Sequence, residues 1–325
     1  MKRRLAALAA AFACILPMTL RAEYPERSIT FVVPFAAGGA TDALGRAFAD
    51  RMSRGSPQTI MIDNVAGAGG TLGANKVAKS KPDGYTFLVG HMGYMAAATG
   101  LYKELPYDPA RDFEAVARFP DTPLVLICGK DDRNASDIKT LMAYARANPG
   151  KVTIANAGVG STGHLVAALF ASALKTEVTH IAYKGNAPAL TDIVGGRVDC
   201  MFDQSNTALP QVRGGRVVAL ATTARERLTQ MPSVPTLSES GLSGFEAATW
   251  YGIYAPKGTD RAQLQWVLGQ FNSAMADNTF VSSLVDQGYV LLKPEDRGPE
   301  ALAAYTKSEI EKWKKVIAAA AIPPN

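Results

Sequence analysis

The chain has 325 residues, with 34 Lys and Arg against 29 Asp and Glu, a formal charge of +5, and three cysteines. The excess charge is local, because residues 1–22 hold Lys2, Arg3, Arg4 and Arg21 and no acid, leaving 30 basic and 29 acidic residues beyond them. A near-neutral chain of that kind excludes a basic nucleic-acid footprint, and its length exceeds one comfortable core, which predicts two lobes.

Met1-Lys2-Arg3-Arg4 followed by LAALAAAFACIL (Leu5 to Leu16) reads as an export signal, its apolar stretch too short to span a bilayer. Cleavage is expected after Ala22, making residues 1–22 a signal peptide. Ala11-Phe12-Ala13-Cys14 is a poor lipobox, so lipid anchoring at Cys14 is not expected. Cys128 and Cys200 then remain, with no CxxC or Cys/His spacing for a metal. The expectation is two separately buried thiols, with a disulfide in an oxidising compartment as the alternative.

Strand-like and helix-like segments alternate along the chain. SITFVVPF leads into a helix over about Thr41–Ser53. QTIMIDNV, the glycine-rich AGAGG and a helix through LGANKVAKS follow. Lys81-Pro-Asp-Gly is a turn before the strand YTFLVG. PLVLICGK, a helix over DIKTLMAYARAN, the strand KVTIANA, the loop GVGSTG and the helix HLVAALFASAL continue the pattern. VTHIAY, PALTDIVGG, VDCMFD and VVALATT come next. Pro232, Pro235, Gly241 and Gly244 mark an irregular segment before the strand WYGIYAPKG and helices over Arg261–Asn278 and Pro299–Ala320. This alternation predicts an α/β fold of parallel sheets with crossover helices.

Two places share one design. ITFVVPFAAGGATD and VTIANAGVGSTGHL each run strand, glycine-rich loop, helix. Glycine lets N–H groups converge at a helix start, where the macrodipole is positive, making an anion cradle of backbone. Ligands of open α/β sheets sit beyond the carboxyl ends of strands, so both cradles belong in a cleft. Other chemistries fit less well. Gly158-Val-Gly160-Ser-Thr-Gly163 matches GxGxxG, with Glu177 near a ribose-binding position, yet free NAD is scarce outside the cytoplasm. His164 and Leu165 replace the Lys and Ser/Thr of a phosphate-binding P-loop, and Val159 breaks a GxSxG elbow. Ser161 is therefore expected to cap the following helix. His91, His164 and His180 are expected to have separate roles, His91 facing the cleft after YTFLVG. Asp42 reads as a helix-start acid, and Asp203 as an acceptor for loop amides or a ligand hydroxyl or ammonium. AGAGG reads equally as a ligand loop or a tight turn, and Lys184 is the one basic residue within these loop signatures.

The ordered set VVPFAAGGATD, NVAGAGG, KPDGYTFLVG, LYKELPYDPARDF, ANPGKVTIANAGVGSTGHL, HIAYKGNAPALTDIVGGRVDCMFD and PSVPTLSESG resembles the tripartite tricarboxylate transporter substrate-binding receptors, the Bug family of periplasmic proteins. The resemblance covers nearly the whole chain after the signal. It implies a type II periplasmic binding protein, with residues 23–122 and 225–325 in lobe 1 and 123–224 in lobe 2. Hinge crossings would lie near Pro120–Leu124 and Thr223–Arg227. It also implies a carboxylate held by the loops of Phe35, Ala37, Gly38, Gly39, Ala40, Thr41 and Asp42 and of Gly160, Ser161, Thr162 and His164. Asp203 would lie at the same cleft, and Phe35 would wall the ligand chain. Implied ligands are di- and tricarboxylates, acidic amino acids, aromatic acids or nicotinate-like compounds. The partner would be a permease with one large and one small integral subunit. The implied receptor is a monomer without cofactor, metal or catalysis. An exported enzyme using Asp42, His91 or Asp203, and a sensor feeding a signalling pathway, are the alternatives. Serine often stands in the family where this chain has Asn156, and His91 with Tyr94 fills a variable segment.

Overall fold

The computed structural model describes residues 24–130, 136–183, 185–320 and 322, so the expected signal peptide and Lys184 lie outside the described residues. Strand β1 (Ile29–Val33) buries all but Thr30, as a run covered by helices on both faces should. It opens into helix α1 (Ala40–Ser53). Then come β2 (Ile60–Asn64), α2 (Thr71–Ala78), β3 (Thr86–His91), a π-helical turn at Gly93–Ala97 running into α3 (Ala98–Leu101), and β4 (Phe113–Arg118). The chain next builds a second sheet from β5 (Thr122–Cys128), α4 (Ile138–Ala147), β6 (Thr153–Asn156), α5 (Thr162–Leu174), β7 (Thr179–Ala182), α6 (Asn186–Val194), β8 (Cys200–Gln204), α7 (Ser205–Arg213), β9 (Val218–Thr222) and β10 (Ala248–Thr249). It returns through β11 (Tyr251–Pro256) and ends in α8 (Arg261–Met275), α9 (Asn278–Asp286) and α10 (Pro299–Ala319).

The first sheet has the order β2-β1-β3-β11-β4, and the second β10-β5-β8-β6-β7 with β9 also on β5. The expected parallel pairing holds for β1 with β2 and β3, and for β6 with β7 and β8. It fails at β11 and β5, which run antiparallel to their neighbours. These are the strands by which the chain passes between sheets, so they enter from the opposite end. The passages lie side by side, with Ile253 against Ala117 in the first sheet and Thr249 against Thr122 in the second. The result is two α/β lobes joined by paired crossing strands.

The first crossing falls between Arg118 and Thr122, within reach of the expected place. The return does not lie at Thr223–Arg227: β10 still pairs with β5, and the chain reaches the first sheet only at Tyr251. Apolar burial moves the boundary. Ala224, Leu228, Met231 and Val234 pack with Val125, Ile127 and Met201 of the second sheet, so this proline-punctuated segment belongs with that lobe's core. The sequence reading also omits α3, β4, α7, β10 and α9, its helix from Arg261 ending at Asn278, where α9 begins. Asp277 separates those two helices by accepting the Thr279 and Phe280 N–H groups, an N-cap that starts a new helix.

Helix α10 clamps the crossings. Its buried face carries Leu302, Thr306, Glu309, Ile310, Trp313 and Ile317 at helical spacing. Glu309 accepts from the indole N–H of both Trp250 (3.0 Å) and Trp313 (2.8 Å). Arg118 reaches Asp121 at 2.7 Å and lies 3.4 Å over the Tyr305 ring, tying the crossing segment to the helix.

Cys128 and Cys200 are bonded as a disulfide, with Cα atoms 4.0 Å apart, which corrects the expectation of separate thiols. They stand directly opposite one another on antiparallel β5 and β8, a neighbourhood that sequence separation hides. Among the described residues, no helix is long and apolar enough to cross a membrane.

Candidate functional site

A cavity of about 660 Å³ lies between the lobes, where the carboxyl ends of β1, β3 and β6 converge. From the first lobe it is lined by Phe35, the run Ala36–Thr41, Gly69, His91 and Leu101; from the second, by Ala157–Gly163, Gly185, Asn186, Phe202 and Gln204. Among the described residues no Lys or Arg lines it. Recognition of an anion here falls to backbone dipoles and neutral side chains.

The first loop turns at Gly38, whose φ of +84° is the left-handed region that only glycine enters freely. Gly39, the N-cap, is extended at φ −79°, so the conformational demand lies one residue earlier than the doubled glycine suggests. Asp42 does not line the cavity. It is buried behind the loop, accepting from the Gly38 N–H (2.8 Å), the Arg46 Nε (2.9 Å) and the Asn64 amide (2.9 Å). Burial pushes its carboxyl up, but the Arg46 guanidinium, the Gly38 N–H and Asn64 outweigh it and hold the group below the usual range. Asn64 also donates to the Phe35 carbonyl at 3.0 Å, pinning both sides of the turn. With Gly38 engaged, the amides left for a ligand are those of the helix start, Ala40 and Thr41.

The second loop repeats this plan with other atoms. Gly160 has φ +81°, and its N–H donates to His164 Nδ1 at 3.1 Å. Asn156 Oδ1 accepts the Gly158 N–H at 3.0 Å, and the Ser161 hydroxyl accepts the His164 N–H at 3.4 Å, which is the expected helix cap. His164 is buried beside His180, ring centroids 4.9 Å apart. Burial lowers its pKa to about 4, so a neutral ring holds Gly160. Thr162 and Gly163 are the helix-start amides facing the cavity.

Asp203 also stands behind the wall. Its Oδ1 accepts from the Asn186 amide (2.5 Å) and the Gln204 N–H (2.9 Å), so it orients Asn186, which does line the cavity. Burial pushes its pKa up to about 6, against the hydrogen bonds from Thr207, Gln204 and Asn186 that lower it. His91 faces the cavity as expected. It is wedged against Phe35 (5.3 Å), Tyr94 (5.7 Å) and Tyr251 (5.3 Å), and its Nδ1 accepts the Gly93 N–H at 2.8 Å. Burial lowers its pKa to about 3.

The structure thus brings ten of the thirteen expected residues onto the cavity wall and places Asp42, His164 and Asp203 directly behind it. Sequence reasoning missed Leu101, Asn186, Phe202, Gln204 and, beneath them, Tyr251, whose hydroxyl donates to Gln204 Oε1 at 3.1 Å. Asn186 and Gln204 each follow a predicted strand, VTHIAY and VDCMFD, so strand-end position was the available signal. Of AGAGG only Gly69 reaches the cavity; Gly70 packs beneath Tyr94, where a Cβ would come within 2.3 Å of the ring. Among the described residues no group of three or more His, Cys, Asp and Glu gathers as a metal site.

Comparison with known proteins agrees with this architecture. A protein in the tcbD–tcbE intergenic region of Pseudomonas sp. strain P51 is 41% identical over 295 residues, covering 90% of this chain and 86% of that one. Protein BugT of Bordetella pertussis is 33% identical over 295 residues, covering 90% and 89%. The solved structure of the periplasmic binding protein BugD superposes with a TM-score of 0.81 at 37% identity, over 93% of this chain and all of that one. MatC of Rhodopseudomonas palustris with bound malate gives 0.80 at 37% identity, covering 90% of this chain and 100% of that one. A second R. palustris protein, with adipate, gives 0.83 at 33%, covering 93% and 100%. The model of the tripartite tricarboxylate transporter family receptor matches residues 44–322, and this chain belongs to that family.

Proposed function

We propose that this protein is a periplasmic solute receptor that captures a small carboxylate and delivers it to a tripartite membrane permease with one large and one small integral subunit. The observation that carries the reading is a pair of helix-start loops, Gly38–Asp42 and Gly160–His164, facing each other across one cavity with no described cationic side chain in its wall. Each helix-terminus contact to a carboxylate contributes on the order of 0.3–2 kcal/mol, and exclusion of water on closure strengthens it. Malate and adipate in two relatives are ligands of a size this cavity accepts.

The proposed cycle is capture on one lobe followed by closure about the crossing strands. The lobes already approach at Gly160, where a Cβ would lie 2.9 Å from the Leu101 side chain of the opposite lobe. The proposal includes no catalytic step. Asp42 and Asp203, the carboxylates an enzyme would use, stand behind the wall, Asp42 with both oxygens hydrogen-bonded and Asp203 hydrogen-bonded through Oδ1.

The test is thermal unfolding against a panel of di- and tricarboxylates, acidic amino acids, aromatic acids and NAD. A bound acid stabilises by RT ln(1 + [L]/Kd), about 2.7 kcal/mol at a hundredfold excess over Kd. The expected result is a clear shift with an acid that is recovered unchanged. A shift with NAD alone, or consumption of the acid, contradicts the reading.

A further inference from the structure

Side chains at the cavity wall are unevenly divided between donors and acceptors. His91 Nδ1 receives the Gly93 N–H, and an N–H can only donate, so the neutral ring carries its proton on Nε2. That Nε2–H is left for the cavity that His91 lines. Gln204 is fixed in the same sense: its Oε1 accepts from the Tyr251 hydroxyl, leaving the amide nitrogen as donor. The wall's acceptors are weaker. Asn186 gives its amide nitrogen to Asp203 and keeps only a neutral oxygen, and the Tyr102 hydroxyl, which donates to the Ala68 carbonyl at 2.9 Å, likewise offers only a neutral oxygen. Among the described residues no carboxylate lines the cavity.

This polarity separates ligands of the same length. A hydroxyl or carboxylate oxygen meets donors, whereas an ammonium brings three N–H groups and a positive charge to helix N-termini and a wall whose described side-chain acceptors are all neutral. Its desolvation would be offset only by neutral oxygens.

Resting on the carboxylate reading above, we propose that His91 is a specificity-determining residue that donates its Nε2–H to an oxygen of the bound acid, so that the cleft prefers unsubstituted or hydroxylated small dicarboxylates over acidic amino acids of equal length. The ring's position supports the role. It ends β3 directly opposite Tyr251 on the crossing strand β11, and Phe35, Tyr94 and Tyr251 hold its plane. None of those neighbours is charged near neutrality, and burial keeps the ring neutral well below pH 6. Donation is therefore independent of pH across the neutral range, unlike attraction to a histidine cation.

Calorimetric titration with succinate, malate and aspartate tests the proposal, because the three share a four-carbon diacid frame and differ in H, OH and NH3⁺. The wild type is expected to bind malate or succinate at least about tenfold more tightly than aspartate, equally at pH 6 and pH 8. His91→Phe fills the aromatic pocket without a donor and is expected to collapse that ratio towards one; His91→Gln restores a donor and should keep it. Aspartate bound as tightly as malate overturns the proposal. So does malate affinity rising steeply between pH 8 and pH 6, or His91→Phe weakening all three ligands equally. If the wild type binds none of the three, this inference fails, and the broader acid panel then shows whether the carboxylate reading falls with it.

Discussion

The two glycine loops solve one problem with different chemistry. In each, a glycine at positive φ turns the chain, and the residue four places later takes that glycine's N–H: Asp42 for Gly38, His164 for Gly160. The first loop is held by a charged network of Asp42, Arg46 and Asn64. The second is held by a neutral imidazole, a serine cap and Asn156. The first rests on the wide core of Phe31, Phe48, Phe87 and Phe271, the second on a sheet fastened by a disulfide. The lesson is that an anion cradle needs its inner amide satisfied from behind so that the helix-start amides remain for the ligand; a charged or a neutral acceptor serves, with different sensitivity to acid.

The largest expected effect sharpens the contrast between lobes. Replacing Cys128 and Cys200 by Ala opens a link across a sequence separation of 72 residues, which the chain-entropy account values at roughly 4 kcal/mol. Denaturant unfolding should show that loss, and hydrogen exchange should localise it to β5, β8 and their neighbours, with the first sheet unchanged. Uniform loss of protection in both lobes would break the comparison.

Next in size is Gly38→Val, which forces a β-branched residue to φ +84° at about 1–2 kcal/mol or more, so ligand affinity should fall at least tenfold. Gly39→Ala is the control, since Gly39 is extended and its added Cβ would meet only the Ala36 carbonyl oxygen at 3.5 Å. Calorimetry giving equal losses for both would remove Gly38 from its place in the turn.

Asp42→Asn converts a strong acceptor into a weak one facing an N–H, Arg46 and Asn64. A loss of about 1–3 kcal/mol in stability by denaturant unfolding is expected. The smallest effect concerns pH. The folded-state pKa of His164, about 4, lies below the unfolded value near 6.5, so its contribution is present above pH 6.5 and is lost as pH falls through about 4. Asp203 acts oppositely: raised to about 6, it contributes below the unfolded carboxylate range and its contribution is lost as pH rises through 6. His164→Asn, which keeps an oxygen acceptor without titrating, should flatten the acid side of the melting temperature against pH by a few degrees. An unchanged profile would show that His164 does not titrate with unfolding.

Both cradles were legible because they are local. Strand, glycines and helix follow one another within 14 residues in ITFVVPFAAGGATD and again in VTIANAGVGSTGHL. Position at a strand end likewise placed His91 on the wall. What stayed hidden is tertiary. Gln204 and Tyr251 meet only because two strands cross between lobes, and Cys128 and Cys200 face each other only because β5 runs against β8. Asp42, Asp203 and His164 were assigned to ligand contact because charge and loop position say nothing about which side of a wall a side chain takes. The return crossing was misplaced because Pro232 and Pro235 look like a linker, yet Val234 buries between them and Leu228 and Met231 bury just before them.

The most direct measurement is amide NMR of the ¹⁵N-labelled protein titrated with a bound dicarboxylate. Opposed backbone cradles predict that the strongest downfield proton shifts fall on Ala40, Thr41, Thr162 and Gly163 together, saturating in one binding event. Shifts confined to one loop, or centred on the second cavity of about 460 Å³ beside Arg146 and Lys312, would contradict the account.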